Sequence, residues 1–503
     1  MQNMPSQPQF IASVDMGSSS FRMIVARVEE INGQPQIYII DSLREPVRLG
    51  AGLSASKLLD EDSQQRAIET LKRFGERIRS FDSDRVRAVA TNAVRVARNG
   101  PEFIARAEQA LGFDIDIIAG VEEARLVYCG AAHQLPLGQG RRLVVDIGGG
   151  STEFIIGEDY EPIAMESLYI GCVSTAQVHF KDSTITAKSM KNAILSARKE
   201  ITVLRRQLAD MGWTHVIGSS GTARALAEIC VSNGFTEHGI SASALEAIRK
   251  HVIEAGNLQN ITLQGLKTDR LPMMPGGLAI MCAVFEELGI EQMEVTEGAL
   301  RQGILYDLLG RTASHDMREL TVAQFANRYS IDPEHAKRVQ ILSEQFFQQL
   351  MNNGPDLSHQ LHLLRWAATL HEIGLSISHN GHHKHAAYIL GNADMPGFTS
   401  KEQSQLATWV LAHNGKLNKV SGIANDPREW IAPLSLRLAC LFLRRRDMDV
   451  LPDIKLKLQE NGVKLSLPKP WLQAHPLTQY GLETEADQWK KIGLNLAIQT
   501  NPK

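Results

Sequence analysis

Two stretches of this chain set an aspartate beside a glycine–hydroxyl turn. Leu143-Val144-Val145 reads as a buried strand that Asp146 ends. Gly148, Gly149 and Gly150 then make a tight turn carrying Ser151 and Thr152, before a second strand from Glu153 to Ile156. Glycines let backbone N–H groups approach an anion closely and can take φ > 0 without penalty, and the two hydroxyls can donate beside them. Asp146 and Glu153 place two carboxylates at one turn, which suits a hard cation such as Mg²⁺ that bridges to phosphate. Earlier in the chain, Val14-Asp15-Met16-Gly17-Ser18-Ser19-Ser20-Phe21 repeats the arrangement between two further strands. One such turn is usually a plain hairpin. Two copies predict two related lobes that hold phosphate between them.

The elements that must carry these loops follow from periodicity. Phe10–Val14, Phe21–Val28 and Gln36–Asp41 read as strands, with Asn32-Gly33 as a hairpin turn pair. Glu61–Ser80 is an amphipathic helix with Ala67, Leu71, Phe74 and Ile78 on one face. Strand Val86–Ala90 runs into Thr91-Asn92-Ala93-Val94-Arg95. Strand Ile115–Ile118 leads to a helix over Glu122–His133. In the second lobe a long helix, about Ala187 to Met211, precedes Val216-Ile217-Gly218-Ser219-Ser220-Gly221-Thr222, a strand whose glycine–hydroxyl turn opens directly onto a helix. A helix N-terminus is itself an anion site, so Gly221 and Thr222 join the phosphate-binding candidates. Strands mixed with helices in this way predict an α/β fold.

From about Gly310 the pattern turns helical as far as about Asp447, and half of the 16 histidines fall between His359 and His413. The tail alternates over Ile454–Leu458 and Val463–Leu467 around Asn461-Gly462, a hairpin with its apolar face inward. The expected division is 1–128 and 129–310 for the two lobes, 311–448 for a helical domain and 449–503 for a small α+β domain. A chain of 503 residues is too long for one core. Its hydrophobic content of 43% and charged content of 22% are those of a soluble globular protein. A net charge of −3 gives no global pull toward nucleic acid or membrane, so a polyanion must be met by a local basic patch. No span across a membrane is expected, Met1 to Phe10 lacks the pattern of a signal peptide, and five scattered cysteines read as reduced residues of a cytoplasmic protein.

The loops at Asp15–Met23 and Asp146–Glu153, the segment Gly120–Leu126 with its Glu-Glu-Ala-Arg-Leu run, the turn at Gly218–Thr222 and the closing motif Gly298–Leu305 together resemble the exopolyphosphatase and guanosine pentaphosphate phosphohydrolase (Ppx/GppA) family. The resemblance covers nearly the whole chain. It implies two lobes of the sugar kinase, actin and heat-shock chaperone fold. His371-Glu372-Ile373-Gly374-Leu375, His385-Ala386-Ala387-Tyr388-Ile389-Leu390 and Asp394-Met395-Pro396-Gly397-Phe398 resemble the long members, whose helical domain is similar to a degenerate HD phosphohydrolase. The ending, with Arg444-Arg445-Arg446, Trp471-Leu472 and His475-Pro476-Leu477, is closer to the guanosine pentaphosphate branch.

The resemblance implies hydrolysis of a terminal phosphate from pppGpp, from polyphosphate, or from both, with Mg²⁺. It implies a catalytic set of Glu123 as general base with Asp146 and Glu153 positioning metal and water. The loops (Gly17, Ser18, Ser19, Ser20, Gly148, Gly149, Gly150, Ser151, Thr152) would hold phosphate oxygens, and Arg22 and Arg95 would meet equatorial oxygens bidentately. Each has a bland alternative: Glu123 as a macrodipole partner, Asp146 as a turn cap, Glu153 in a lysine pair, Arg95 as a surface charge. Glu122 reads as a capping or solvated carboxylate. Three departures from the family pattern stand out: Ser19 for asparagine, Arg22 where near relatives carry histidine, and Gln302 for glutamate. In the helical domain His371 is followed by Glu372 where a working HD site needs aspartate, and His379, His382, His383, Lys384 and His385 can instead line a polyanion channel. A homodimer is expected by family analogy. A kinase or ATPase on the same fold, and a non-catalytic alarmone or polyphosphate sensor, are the competing readings.

Overall fold

A computed structural model describes residues 9–31, 34–136, 138–312, 316–351, 357–446 and 451–501. The chain divides into two units, 1–316 and 317–503.

In the first unit, β1 (Gln9–Met16), β2 (Phe21–Ile31) and β3 (Gln34–Glu45) form an antiparallel meander. The Asn32-Gly33 pair expected at the second turn lies outside the described residues. After α1 (Glu61–Ile78), strand β4 (Val86–Ala90) pairs parallel to β1. The short α2 (Asn92–Arg95) and then α3 (Gly100–Leu111) lead to β5 (Ile115–Ile117), parallel to β4, and α4 (Gly120–Ala132) leaves the sheet. The order is β3-β2-β1-β4-β5. The plan then repeats: β6 (Arg141–Ile147), β7 (Thr152–Glu158) and β8 (Glu161–Leu168) form a meander, α5 (Cys172–His179) and α6 (Ala187–Met211) come next, and β9 (His215–Ser219) pairs parallel to β6. After these stand α7 (Ser220–Ser232), β10 (Ile240–Ser241), α8 (Ala242–Ala255), α9 (Met274–Leu288), β11 (Gln292–Val295) and α10 (Leu300–Thr312). The second sheet runs β10-β11-β9-β6-β7-β8. A three-strand meander continued by parallel strands with helical crossovers, twice over, is the actin-like architecture.

β6 and β7 lie in fully buried layers, which explains their unbroken apolar runs. α9, apolar on all sides, is core: 72% of the most apolar window of Thr268–Leu288 is buried in the second lobe, although the stretch has the length and composition to cross a membrane.

The two last helices of the lobes are exchanged. α4 packs its Leu126, Val127 and Ala131 with Val144 and Ile155 of the second sheet, whereas Leu305 and Leu308 of α10 pack with Ile11 and Ile24 of the first. The helices cross where Gly130 meets Ala299 and Gly303 meets the Leu126 carbonyl, close enough that a Cβ at either glycine would collide with backbone. The expected boundary between 128 and 129 therefore falls inside a helix that belongs to both lobes.

A buried ionic network sits at the start of α4. Glu122, 2% exposed, takes Arg125 at 2.8 Å and Arg87 at 3.3 Å, and Asp307 of α10 pairs with both arginines. The solvated or capping role expected for Glu122 is thus corrected. It neutralises two guanidinium groups that the helix crossing has already removed from water.

The second unit is built from α11 (Met317–Arg328), α12 (Pro333–Leu350), α13 (Leu357–Leu370), α14 (His382–Asn392), α15 (Ser400–Ala412) and α16 (Pro427–Phe442). β12 (Lys455–Gln459), β13 (Gly462–Pro468), α17 (Lys469–Ala474), α18 (Pro476–Lys490) and β14 (Asn495–Asn501) complete it. The hairpin forms where expected, with Gln459 opposite Gly462. Its inward Leu456, Val463 and Leu465 join the same core as Phe346, Trp366 and Leu438 of the helices, so the expected domain boundary at 448 has no counterpart in the packing.

Burial holds His371 neutral by pushing it down to about 4, and His413 lies well below its ordinary value for the same reason. The unfolded chain binds protons at these rings near pH 6.5 while the folded chain does not, so stability falls as pH drops from about 6.5 toward 4. His371 alone accounts for about 3 kcal/mol across that window. Urea denaturation at pH 7 and pH 5 checks this; an unchanged midpoint would contradict it.

Candidate active site

The register of the two meanders places the chemistry. Asp15 at the end of β1 stands opposite Arg22 on β2, and Asp146 at the end of β6 stands opposite Glu153 on β7. The two lobes thus present matching positions with opposite charge on the second member of each pair. Both aspartates line one cavity with Glu123, and the two loops touch across it: a Cβ on Gly149 would lie 3.1 Å from Ser18 Cβ and 3.5 Å from the Ser19 nitrogen.

The loop carbonyls are turned away. Gly50 N–H donates to Ser18 O at 2.8 Å and Arg48 N–H to Ser19 O at 2.9 Å, while the Cys172 and Val173 amides hold Gly148 O and Gly149 O, each at 2.9 Å. In a trans peptide the next N–H points the opposite way, which aims the amides of Ser19, Ser20, Gly149 and Gly150 away from those partners. All four residues line the cavity. None of the loop glycines takes positive φ. Of the two freedoms glycine offers, the loops use close approach, since a side chain on Gly150 would strike Asn92.

Four carboxylates gather behind these loops. Asp15 and Asp146 are each raised to about 6, foremost by burial; Asp146 adds to the rise at Asp15, and Arg22 and Arg301 oppose it at both. Glu123, in the first turn of α4, is raised to about 7 by burial and by Asp15 and Asp146, although Arg95 at 3.2 Å pulls it down. Glu153 is raised well above its ordinary value by burial and by Glu123 and Asp146, and it accepts from Ser167 Oγ at 2.9 Å. Asp15 Oδ1 is buried without a hydrogen-bond partner among the described residues. Carboxylates packed this closely cannot all ionise unless a cation lies among them, and an all-oxygen donor set with an orphaned oxygen fits Mg²⁺.

Opposite the acids stands a group of arginines. Arg22, Arg224, Arg270 and Arg301 line the cavity. Arg22 is lowered to about 10 by burial and by Arg301, Arg44 and Arg224, and Arg270 and Arg301 shift the same way, burial again leading. Guanidinium groups that repel one another in a half-buried site are matched to a multiply charged anion. No motif announces Arg224 and Arg270, and Arg301 lies in the closing motif Gly298–Leu305 with nothing there to mark it as a site residue. Each is an isolated arginine on a different element, and only the fold converges them.

Several expected contacts are relocated. Ser18, Ser20, Gly17, Gly148, Ser151, Gly221 and Thr222 line the cavity. Thr152 does not: its hydroxyl donates to Ile170 O at 2.6 Å and is fully buried. Arg95 is not on the cavity wall, and its Nη1 donates to Ile118 O at 2.7 Å as well as to Glu123. Glu153 also lies behind the lining residues. At α7 the Thr222 and Ala223 amides are taken by Ser220 Oγ at 3.1 and 3.3 Å, so that helix start is partly capped from within. Ser220 itself sits at φ 83, a strained value for a residue with a side chain. Ser19 Oγ reaches Met273 Sδ at 3.8 Å, and Gln302 accepts from Ala299 N–H at 3.2 Å, as a cap on α10.

Two family models match the chain: the Ppx/GppA phosphatase family over residues 24–312 and Ppx/GppA phosphatase, domain III, over residues 317–486. The chain belongs to the Ppx/GppA phosphatase family. Within that family it is 38% identical to the guanosine-5'-triphosphate,3'-diphosphate pyrophosphatase of Vibrio cholerae, over 97% of this chain and 98% of the relative. It is 36% identical to the protein of the same name from Aliivibrio fischeri, over 98% of each. These likenesses place it on the guanosine pentaphosphate side of Ppx/GppA and make it a phosphoanhydride hydrolase. The crystal structure of an exopolyphosphatase from Cytophaga hutchinsonii shares the fold at a TM-score of 0.54, 24% identity, 60% of this chain and 98% of that one.

Proposed function

We propose that this Ppx/GppA hydrolase removes the 5'-terminal phosphate of pppGpp to give ppGpp and phosphate, and that it acts on the end residue of polyphosphate as a second substrate. One observation supports this above the rest: a single cavity sets two loops of amides and hydroxyls, Glu123 with two aspartates, and four arginines around one point. The terminal phosphoryl group sits between the loops, held by the amides of Ser19, Ser20, Gly149 and Gly150 and the hydroxyls of Ser18 and Ser151. The arginines take the remaining charge of the anhydride chain. Glu123, with a proton affinity near neutrality, accepts the proton of the attacking water. Arg95 fixes its carboxylate, and Asp15 and Asp146 are the like charges that keep it basic. When bound near Asp15, Asp146 and Glu153, Mg²⁺ would supply charge neutralisation and polarise the phosphoryl oxygens.

A kinase is disfavoured because both family models that match the chain are phosphatase models. The test is phosphate release from pppGpp and from long-chain polyphosphate, side by side, with Mg²⁺ and without any acceptor. Release from pppGpp with the higher kcat/KM is expected. Tight binding of either compound with no release would favour the sensor reading.

A further inference from the structure

The second unit holds a cluster of imidazoles that the proposed hydrolysis does not use. His335 on α12, His371 immediately after α13 and the adjacent Glu372 bring one ligand atom each to within 4.8 Å of one another. His335 and His371 are 4% and 3% exposed. We propose that His335, His371 and Glu372 form a binding site for a divalent transition metal of the zinc type.

The orientation of the groups supports this. His371 Nδ1 lies 2.7 Å from the Ala368 carbonyl. It must donate there, which leaves the Nε2 lone pair free on the side of the cluster, as an outer hydrogen bond does for metal-bound histidine. His335 Nδ1 is buried with no hydrogen-bond partner among the described residues, an arrangement that costs free energy unless something occupies that lone pair or proton. Glu372 Oε1 is 4.0 Å from His371 Nε2 and is held by Arg446 at 2.6 Å, so its direction is set from outside the cluster. His413 stands edge-on to His371 with ring centres 5.2 Å apart, its own Nδ1 committed to Val410 O at 2.6 Å. Two imidazoles and a carboxylate select a borderline dication over Mg²⁺, which prefers oxygen throughout. The bland account, histidines stacked as core filling, leaves the orphaned nitrogen of His335 and the convergence with Glu372 unexplained.

The experiment uses the full chain, stripped with a chelator, loaded with Zn²⁺ in excess Mg²⁺ and desalted. One zinc per chain is expected by mass spectrometry. His335→Gln and His371→Gln should each come through the desalting without zinc, with Mg²⁺-dependent phosphate release unchanged. Zinc-free wild type, or variants that retain zinc as wild type does, would overturn the proposal. Should a variant fail to fold, Co²⁺ bound to the wild type decides instead: nitrogen coupling in its pulsed electron-nuclear spectra supports the site, and an all-oxygen spectrum refutes it.

Discussion

Replacing Glu123 with glutamine is expected to lower kcat for phosphate release by on the order of 10²- to 10⁴-fold, the usual contribution of a positioned base, with KM little changed. The amide keeps the shape and a contact to Arg95 but cannot accept the water's proton. The wild-type pH profile gives an independent reading. Burial, with Asp15 and Asp146 adding to it, raises Glu123 to about 7. Only the deprotonated form works as a base, so kcat/KM should rise with pH through about 7 and fall on the acid side. That limb should vanish in the variant, because its residual rate no longer depends on this group. Because the variant also removes a desolvated carboxylate from an acidic cluster, no loss of thermal stability is expected. An active variant with the acid limb intact would assign the base elsewhere.

The second large effect is on stability. Substituting Asp307 with alanine should cost about 3–5 kcal/mol, since it deprives Arg87 and Arg125 of a partner in a site away from water. Glu122, with Asp116 at 3.7 Å from Arg87, would then face two guanidinium groups without it. Thermal denaturation of wild type and Asp307→Ala measures this; a melting temperature within error of wild type would mean that the network is already hydrated. The network also fixes the first turn of α4, one residue before Glu123. A milder change, Asp307→Asn, should therefore reduce kcat more than it reduces stability.

Much of the fold was legible because its signals are local. The Asp-x-Gly loops, the strands that feed them and the alternation of the tail hairpin can each be read within about ten residues. The repeated Asp15 and Asp146 loops predicted facing lobes, and Ser18 against Gly149 meets that expectation. The features that sequence reasoning missed depend on long-range convergence. Arg224 and Arg270 carry no pattern, nothing in the closing motif marks Arg301 as a site residue, and the meeting point of the three is set by separate elements. Glu122 reads as a surface acid because nothing near it in sequence announces that Asp307 will arrive beside its arginines. Thr152 looks like a phosphate donor from its place in the loop, yet β7 begins there and alternation turns its hydroxyl toward Ile170. The exchange of helices is also invisible, as amphipathic periodicity says which face is buried but not against which sheet.

That exchange has a thermodynamic corollary. Each half of residues 9–312 completes its apolar layer with a helix supplied by the other half's chain. A fragment cut before α4 or before α10 would expose a bare sheet face, so neither half is a self-sufficient folding piece. Calorimetry of a 1–316 protein should accordingly give one endotherm, with its van't Hoff and measured enthalpies equal, despite the internal duplication that built it.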